Sequence, residues 1–445
     1  MSHLRNRASV LILVTLAVLL VSNLLTATVK TNDYSENYPA VVCPPAQRGV
    51  TAAISTPSTR SPYHLVRGRS VRDKEIKTLR YASGATPIVI DAQATTPLMW
   101  QNKVGEWAGG VPCQSPQASQ WFVGGTADIT SKGVLVVVNS GLSSALVDVQ
   151  PWSESGIQPK KTLSIGVSGV ATLRLDSLAP GAARLALHVT PRSGRINAFL
   201  VDERGRGLRA LGGDLVNSIS APQKKLYISG IPQISQSNRT SRSRAQSTQA
   251  SHTLRIIVPG EVNARFGVEV VSTDGIFSPV GFSGRLANAG QVSEFPFNPN
   301  VGRGSYAIRI TSDQPLAAAV VSTVPNARGR SDFVWSTPST RLQDFSIATS
   351  GLAPTLVFTG DSISLSIRAL FTNGKEKTYR LKGSDVLTWN TPANTRSLTF
   401  SRIGKGIYGG ALQSSASGIG FYPLQPGSVL TRTAIPRSNI RVLNP

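Results

Sequence analysis

From Gly124 onward the chain is a succession of short apolar runs rich in Val, Ile and Leu, cut by Gly, Pro, Asn and Ser. The cuts fall roughly every ten residues, the spacing of antiparallel strands in β-sandwiches. No stretch keeps apolar residues at helical spacing over three turns. Three stretches repeat one order of strands: 135–139, 145–149, 184–189 and 196–201; then 254–260, 267–271, 306–311 and 316–321; then 356–358, 364–368, 397–400 and 407–412. In each, a turn joins the last two strands, at 191–194, 312–315 and 404–406, where Gly, Asp and Pro supply the reversing dihedrals. An aromatic-plus-turn element follows each unit, at 226–230, 333–338 and 421–424, and another at 121–125 precedes the first.

Repeats of roughly 90–120 residues are too long for a propeller blade of about 40–45 and suit a sandwich of about 100. The fold class expected is all-β, with tandem Ig-like antiparallel β-sandwich units; a propeller-like arrangement of β repeats is the alternative. The sandwiches fall at 121–225, 226–340 and 341–435, with a tail at 436–445. A β-rich segment over 30–120 reads as a partial fourth unit, in which 87–91 and 98–100 look like a strand pair. Inside the second sandwich, 235–251 is Ser, Gln, Arg and Thr with hardly an apolar side chain, which predicts a mobile loop.

The N-terminus changes where this protein is expected to sit. After a stub at 1–7 carrying Arg5 and Arg7, the run from Ala8 to Val29 has no charge and is long enough at 1.5 Å per residue to cross a bilayer core. Its most apolar part, 10–21, has the length of a signal-peptide core, but Leu25 stands where a peptidase wants a small residue before Ala27. The segment therefore reads as a retained transmembrane anchor over 8–29, with cleavage and secretion as the alternative. Basic residues ahead of the helix place the N-terminus in the cytoplasm and the rest outside the plasma membrane. Outside the cytoplasm two cysteines read as one disulfide, Cys43–Cys113, the alternative being two free thiols.

Lys and Arg outnumber Asp and Glu by 46 to 23, for a net charge of +23, which implies a partner or surface of opposite sign. A strong local bias lies soon after the anchor: Arg48, Arg60, Arg67, Arg69, Arg72, Lys74, Lys77 and Arg80 face only Asp73 and Glu75. Such a patch suits anionic lipid or an acidic cell-wall polymer, with a generally basic surface as the plain alternative. Nucleic acid is disfavoured, because aromatics are hardly interleaved with these cations.

The inventory for catalysis is thin: four His and 23 carboxylates in 445 residues. His64 and His252 read as residues of basic loops, and His188 as a surface-facing or hydrogen-bonded strand residue; none has an acidic neighbour in sequence. Asp202-Glu203 and the Asp73/Glu75 pair read as exposed loop charges. The patterns at Gly205/Gly207/Ala210 and Gly302/Gly304/Ala307 imitate a nucleotide-binding turn, but no helical pattern follows either, so both read as turns. Catalytic residues, metal ligands and cofactors are therefore expected to be none.

Cys43-Pro44, Cys113, Trp121, Gly124-Gly125, the run 135–139 and the segment 310–318 together resemble a family of actinobacterial envelope proteins, domain of unknown function family 5719. The resemblance implies a membrane-anchored or secreted β-rich protein and brings no catalytic residues. The expectation is a binding or scaffolding module at the bacterial cell envelope, with envelope proteins among its partners. A polysaccharide-modifying hydrolase is the runner-up, and an adhesion or protein-interaction ectodomain the third reading.

Overall fold

The computed structural model describes residues 13–18, 34–37, 40–67, 74–91, 94–233, 252–299, 301–302, 304–325, 330–428 and 433–436. They fall in two compact units, Met1–Asn37 with Arg432–Pro445, and Tyr38–Thr431. In the first unit Tyr34–Asn37 pairs antiparallel with Thr433–Pro436, and 13–18 form a short helix. Among the described residues no helix is long and apolar enough to cross a membrane. Most of the anchor expected over 8–29, and the segment 235–251, lie outside the described residues.

The second unit is all-β and consists of four modules, the first two of two sheets each and the last two of one curled sheet each. In module 1 one sheet has the order Val41–Cys43, Ile88–Ile90, Ser61–Leu65, Lys74–Ile76, and the other Trp107–Pro112, Leu98–Lys103, Thr51–Ser55, Arg80–Ser83. The residues at 87–91 and 98–100 are indeed strands, yet they belong to opposite sheets rather than pairing with each other. Module 2 pairs Gly169–Arg174, Val134–Asn139, Ile196–Arg206 and Arg209–Val216 in one sheet and centres the other on Leu185–Ser193 and Ala145–Ser153.

Modules 3 and 4 are each a single curled, half-barrel sheet built on one long strand. The first half of Gly304–Pro325 pairs with Gln223–Gln233 and Ala264–Ser272, its second half with His252–Ile257 and Ser331–Ser336. The turn expected at 312–315 is thus a bend inside a 22-residue strand, because both halves keep ladder partners through it. Likewise the runs at 356–358 and 364–368 are one strand, Thr355–Phe371, with a register shift between Gly360 and Ile363.

The continuous apolar runs have a physical cause. In Val134–Asn139 every residue after the first is buried, so both faces of the strand are covered. Leu135 and Val137 pack in the core of module 2, whereas Val136 and Val138 pack among Val41, Ile54 and Ile76 of module 1. The same division recurs around the unit. Leu254 and Ile256 lie in the module 3 core while Ile257, Ala317 and Ala319 lie in that of module 2. Val357 of module 4 packs against Val271 and Ala307 of module 3. Leu98, Trp100 and Ala108 of module 1 lie in the core of module 4, and Thr95–Thr96 pairs in parallel with Phe345–Ala348. Each module covers one face of the next and the fourth meets the first, a closed cycle rather than a row.

Candidate functional site

Each module ends in a hairpin whose second strand lies beside its counterparts: Trp107–Pro112, Arg209–Val216, Ser331–Ser336 and Gly418–Pro423. These four neighbour one another in a cycle of their own. The approach is too close for side chains. A Cβ on Gly109 would stand 2.6 Å from Asp214 Oδ1, and one on Gly213 would stand 2.9 Å from the Trp107 ring. Glycine here permits backbone-to-backbone packing at the axis.

Three buried carboxylates surround this junction. Asp214 accepts from the amides of Leu215 at 2.8 Å and Trp335 at 2.7 Å, and Asp202 accepts from Trp335 Nε1 at 2.9 Å and Arg204 at 2.7 Å. Asp332 Oδ1 accepts from the Gly213 amide at 3.0 Å, while its buried Oδ2 has no hydrogen-bond partner among the described residues. Burial pushes the Asp332 carboxyl up to about 7 and holds Asp214 well above the carboxylate range. Arg255, fully buried, completes the network: it donates to Glu294 Oε1 at 2.7 Å and lies 4.8 Å from the centre of the Trp335 ring. These bonds tie module 2 to module 3. Asp202 and Glu203 are therefore not the exposed loop charges expected: Asp202 is wholly buried on the strand Ile196–Arg206, and Glu203 pairs with Lys103 at 2.7 Å.

Beyond the ends of the axial strands, the segments 115–119, 218–223, 338–340 and 425–428 converge on a cavity of about 370 Å³. One segment comes from the exit of each module. Among the described residues the lining is Ser, Thr, Gln, Pro and Ala with Ile219 and Leu226, and no charged side chain takes part. The walls are fixed by hydrogen bonds that backbone amides donate. Ser115 N–H donates to Gly427 O at 2.7 Å, Ile219 and Trp121 exchange amide bonds at 2.8 and 2.9 Å, and Gly409 N–H donates to Ser339 Oγ at 3.1 Å. The disulfide Cys43–Cys113, with its Cα atoms 4.5 Å apart, fastens the strand Val41–Cys43 of module 1 to the start of the first wall segment.

On that wall Ser119 Oγ lies 2.9 Å from His188 Nε2, which Thr190 Oγ1 also meets at 3.0 Å. The imidazole stacks on Trp121 with ring centres 4.0 Å apart, and burial lowers its pKa. Among the described residues no carboxylate bonds its other nitrogen. His188 is the hydrogen-bonded strand residue expected. His64 and His252 differ from expectation, because both lie on strands: His64 in Ser61–Leu65, and His252 buried in His252–Ile257 between Ser322 Oγ at 2.9 Å and Gln233 Oε1 at 3.0 Å.

None of the described residues of the basic set lines the cavity. Arg60 and Arg67 flank the strand Ser61–Leu65, and Lys74 and Lys77 lie on or beside Lys74–Ile76, which pairs with it; these four and Arg48 are exposed. Arg80 is structural, donating to Ser55 Oγ at 2.9 Å and to Ser350 O of module 4 at 3.0 Å. Arg69, Arg72 and Asp73 are outside the described residues, and Glu75 is exposed on Lys74–Ile76. The pattern from Gly205 turns a hairpin between Ile196–Arg206 and Arg209–Val216, and the pattern from Gly302 leads into a strand. The cavity itself had only a faint signal in the sequence: a Ser- or Thr-bearing, Pro-containing segment after each closing strand, legible as punctuation but not as one site.

Fold and site define a class: an all-β protein of four sheet modules whose exit segments meet in a cavity without charged side chains among the described residues. Residues 81–390 match the family model described as a family of unknown function (DUF5719), and the chain belongs to that family. No curated protein matches it. Among solved structures it is similar to an α-L-rhamnosidase of Streptomyces avermitilis complexed with L-rhamnose, at 11% identity and a TM-score of 0.15. That alignment covers 86% of this chain and 55% of the other, so the chain spans about half the enzyme's length, and at such a score it carries neither fold nor function.

Proposed function

We propose that the chain is an extracytoplasmic binding module of the bacterial cell envelope, held at the plasma membrane by its N-terminal segment, whose ligand seats in the axial cavity. The observation that supports this most is the cavity's construction, with one wall segment from each of four modules. Concave sites where several elements converge are where ligands bind. In this reading the modules are Ig-like sandwiches arranged in a propeller-like cycle. The exposed cations around Ser61–Leu65 and Lys74–Ile76 hold the outer surface against anionic lipid or acidic wall polymer, leaving the cavity free. The experiment is retention of solubilised wall polymers on the full chain and on Ala221→Trp, which places an indole at the exposed cavity residue Ala221. Retention by the parent and loss in the variant supports the reading, and equal retention by both refutes it.

A specific contact favours the hydrolase as a second reading. Ser119 and His188 stand at the distance of a nucleophile and its base on the cavity wall. Release of sugar or acyl groups from wall material by the parent, abolished in Ser119→Ala, would establish it; retention without turnover leaves the binding module.

A further inference from the structure

From the chemistry of its walls, and resting on the reading of the axial cavity as the ligand site, we infer that the cavity takes an uncharged, hydroxyl-rich ligand, the end of a neutral glycan. The chain has 46 basic residues, yet none lines this cavity among the described residues, and no acidic side chain does either. A phosphate or carboxylate seated there would lose its hydration with no counter-charge to replace it, which disfavours binding strongly. The anionic partners suited to the outer basic edge are therefore not the occupants of this site.

The groups present match a polyol. Ser115, Ser218, Ser220, Thr340 and Ser428 carry hydroxyls, and Gln117, Gln223 and Gln425 carry amides; each both donates and accepts. A sugar hydroxyl is likewise donor and acceptor, so such walls satisfy it in either sense. Between these groups Ile219, Leu226 and three prolines offer apolar surface for the C–H face of a ring. A lipid tail would make no use of the hydroxyls and amides on these walls. The volume of about 370 Å³ equals about a dozen waters at about 30 Å³ each, room for a sugar ring with its hydroxyls and part of a second. With no aromatic platform in the lining, one ring's worth of contacts yields an affinity of about 1 mM, and a glycan chain end held at two rings binds more tightly.

The test uses the full chain and saturation-transfer NMR with three sets of probes at 0.1 M salt: neutral gluco-, galacto-, manno- and arabino-oligosaccharides, glycerol-phosphate oligomers, and a Ser/Pro-rich peptide. At least one neutral oligosaccharide should bind, keep its affinity within twofold between 0.1 and 1 M salt, and lose at least tenfold on Ala221→Trp and on Gln223→Ala. The wider reading and this one fail separately. If a phosphate oligomer or the peptide binds in an Ala221→Trp-sensitive manner and no neutral sugar does, the cavity is a ligand site and the glycan inference is wrong. If no probe of any class is sensitive to Ala221→Trp, or a neutral sugar binds equally to parent and variant, both are overturned.

Discussion

Replacing Asp332 by Asn should stabilise the protein above neutral pH and leave it unchanged near pH 4. Asp332 is 1% exposed, with one carboxylate oxygen beside the axial glycines that has no hydrogen-bond partner among the described residues. Its ordinary value of 3.8 is raised to about 7 by burial, against the opposing pull of the Gly213 and Phe333 amides. A raised carboxyl binds a proton in the folded state that the unfolded chain has released, so stability falls as pH climbs from about 4 to about 7. Roughly three pH units at 1.36 kcal/mol each give about 4 kcal/mol as an upper bound on the penalty at pH 8. Asn keeps the acceptor for Gly213 and carries no charge at any pH.

Two other buried groups contribute to the pH dependence. Asp214 is displaced in the same sense, partly by Asp332 itself, so the substitution relieves it as well. His252, lowered to about 4 by burial, acts oppositely, because its unfolded form takes up a proton as pH falls below about 6.5 and stability drops with it. The parent's own pH profile is therefore a mixture, and the informative quantity is the difference between variant and parent. At about 2.1 cal/mol/K per residue over about 390 residues, 4 kcal/mol corresponds to a rise of about 5 °C in melting temperature. Differential scanning calorimetry at pH 4.5, 6 and 8 should show that gain growing with pH. A variant less stable than the parent at pH 8, or a difference independent of pH, would refute the assignment of a buried, charge-penalised carboxyl.

Trp335→Phe removes the indole donor to Asp202 and leaves a small void between modules 2 and 3; urea denaturation should show a loss of about 2–3 kcal/mol. Reducing Cys43–Cys113, which closes a sequence separation of 70, should remove about 4 kcal/mol by loop-closure entropy and weaken ligand retention more than any other distant change, since Cys113 opens a cavity wall. A chain ending at residue 340 should fail to give a soluble folded protein, because it uncovers Leu98 and Trp100 of module 1 and Val271 and Ala307 of module 3 together; a monomeric product with a sharp thermal transition would contradict the closed cycle.

The strands and much of the module order were legible because local pattern carries them: Val, Ile and Leu runs, with Gly, Pro and Asp between, specify extended chain and its reversals. Two errors share one cause. Ser312, Asp313 and Pro315 have the chemistry of a turn, and only the ladder partners on both sides of Gly304–Pro325 make them a bend. Asp202 and Glu203 have the chemistry of a loop, and only the arrival of Trp335, Arg204 and Lys103 makes them a buried network. Neither Trp335 nor Lys103 is near them in sequence, so no local window contains the reason.

The clue that the pattern did contain concerns closure. A sandwich with one face in solvent needs strands that alternate, and Ala145–Ser153 begins by alternating buried and half-buried residues. Val134–Asn139 and the segment 316–320 are buried almost without interruption, so something other than their own module must cover the second face. In a row of four, one terminal module would leave such a face bare; Leu98, Trp100 and Ala108 are instead covered by module 4. Closure brings the four hairpin ends to one axis, and the axis sets the cavity at their exit. The uninterrupted apolar runs and the cavity are thus two consequences of one arrangement, and a change that opens the cycle should abolish both the cooperative core and the cavity.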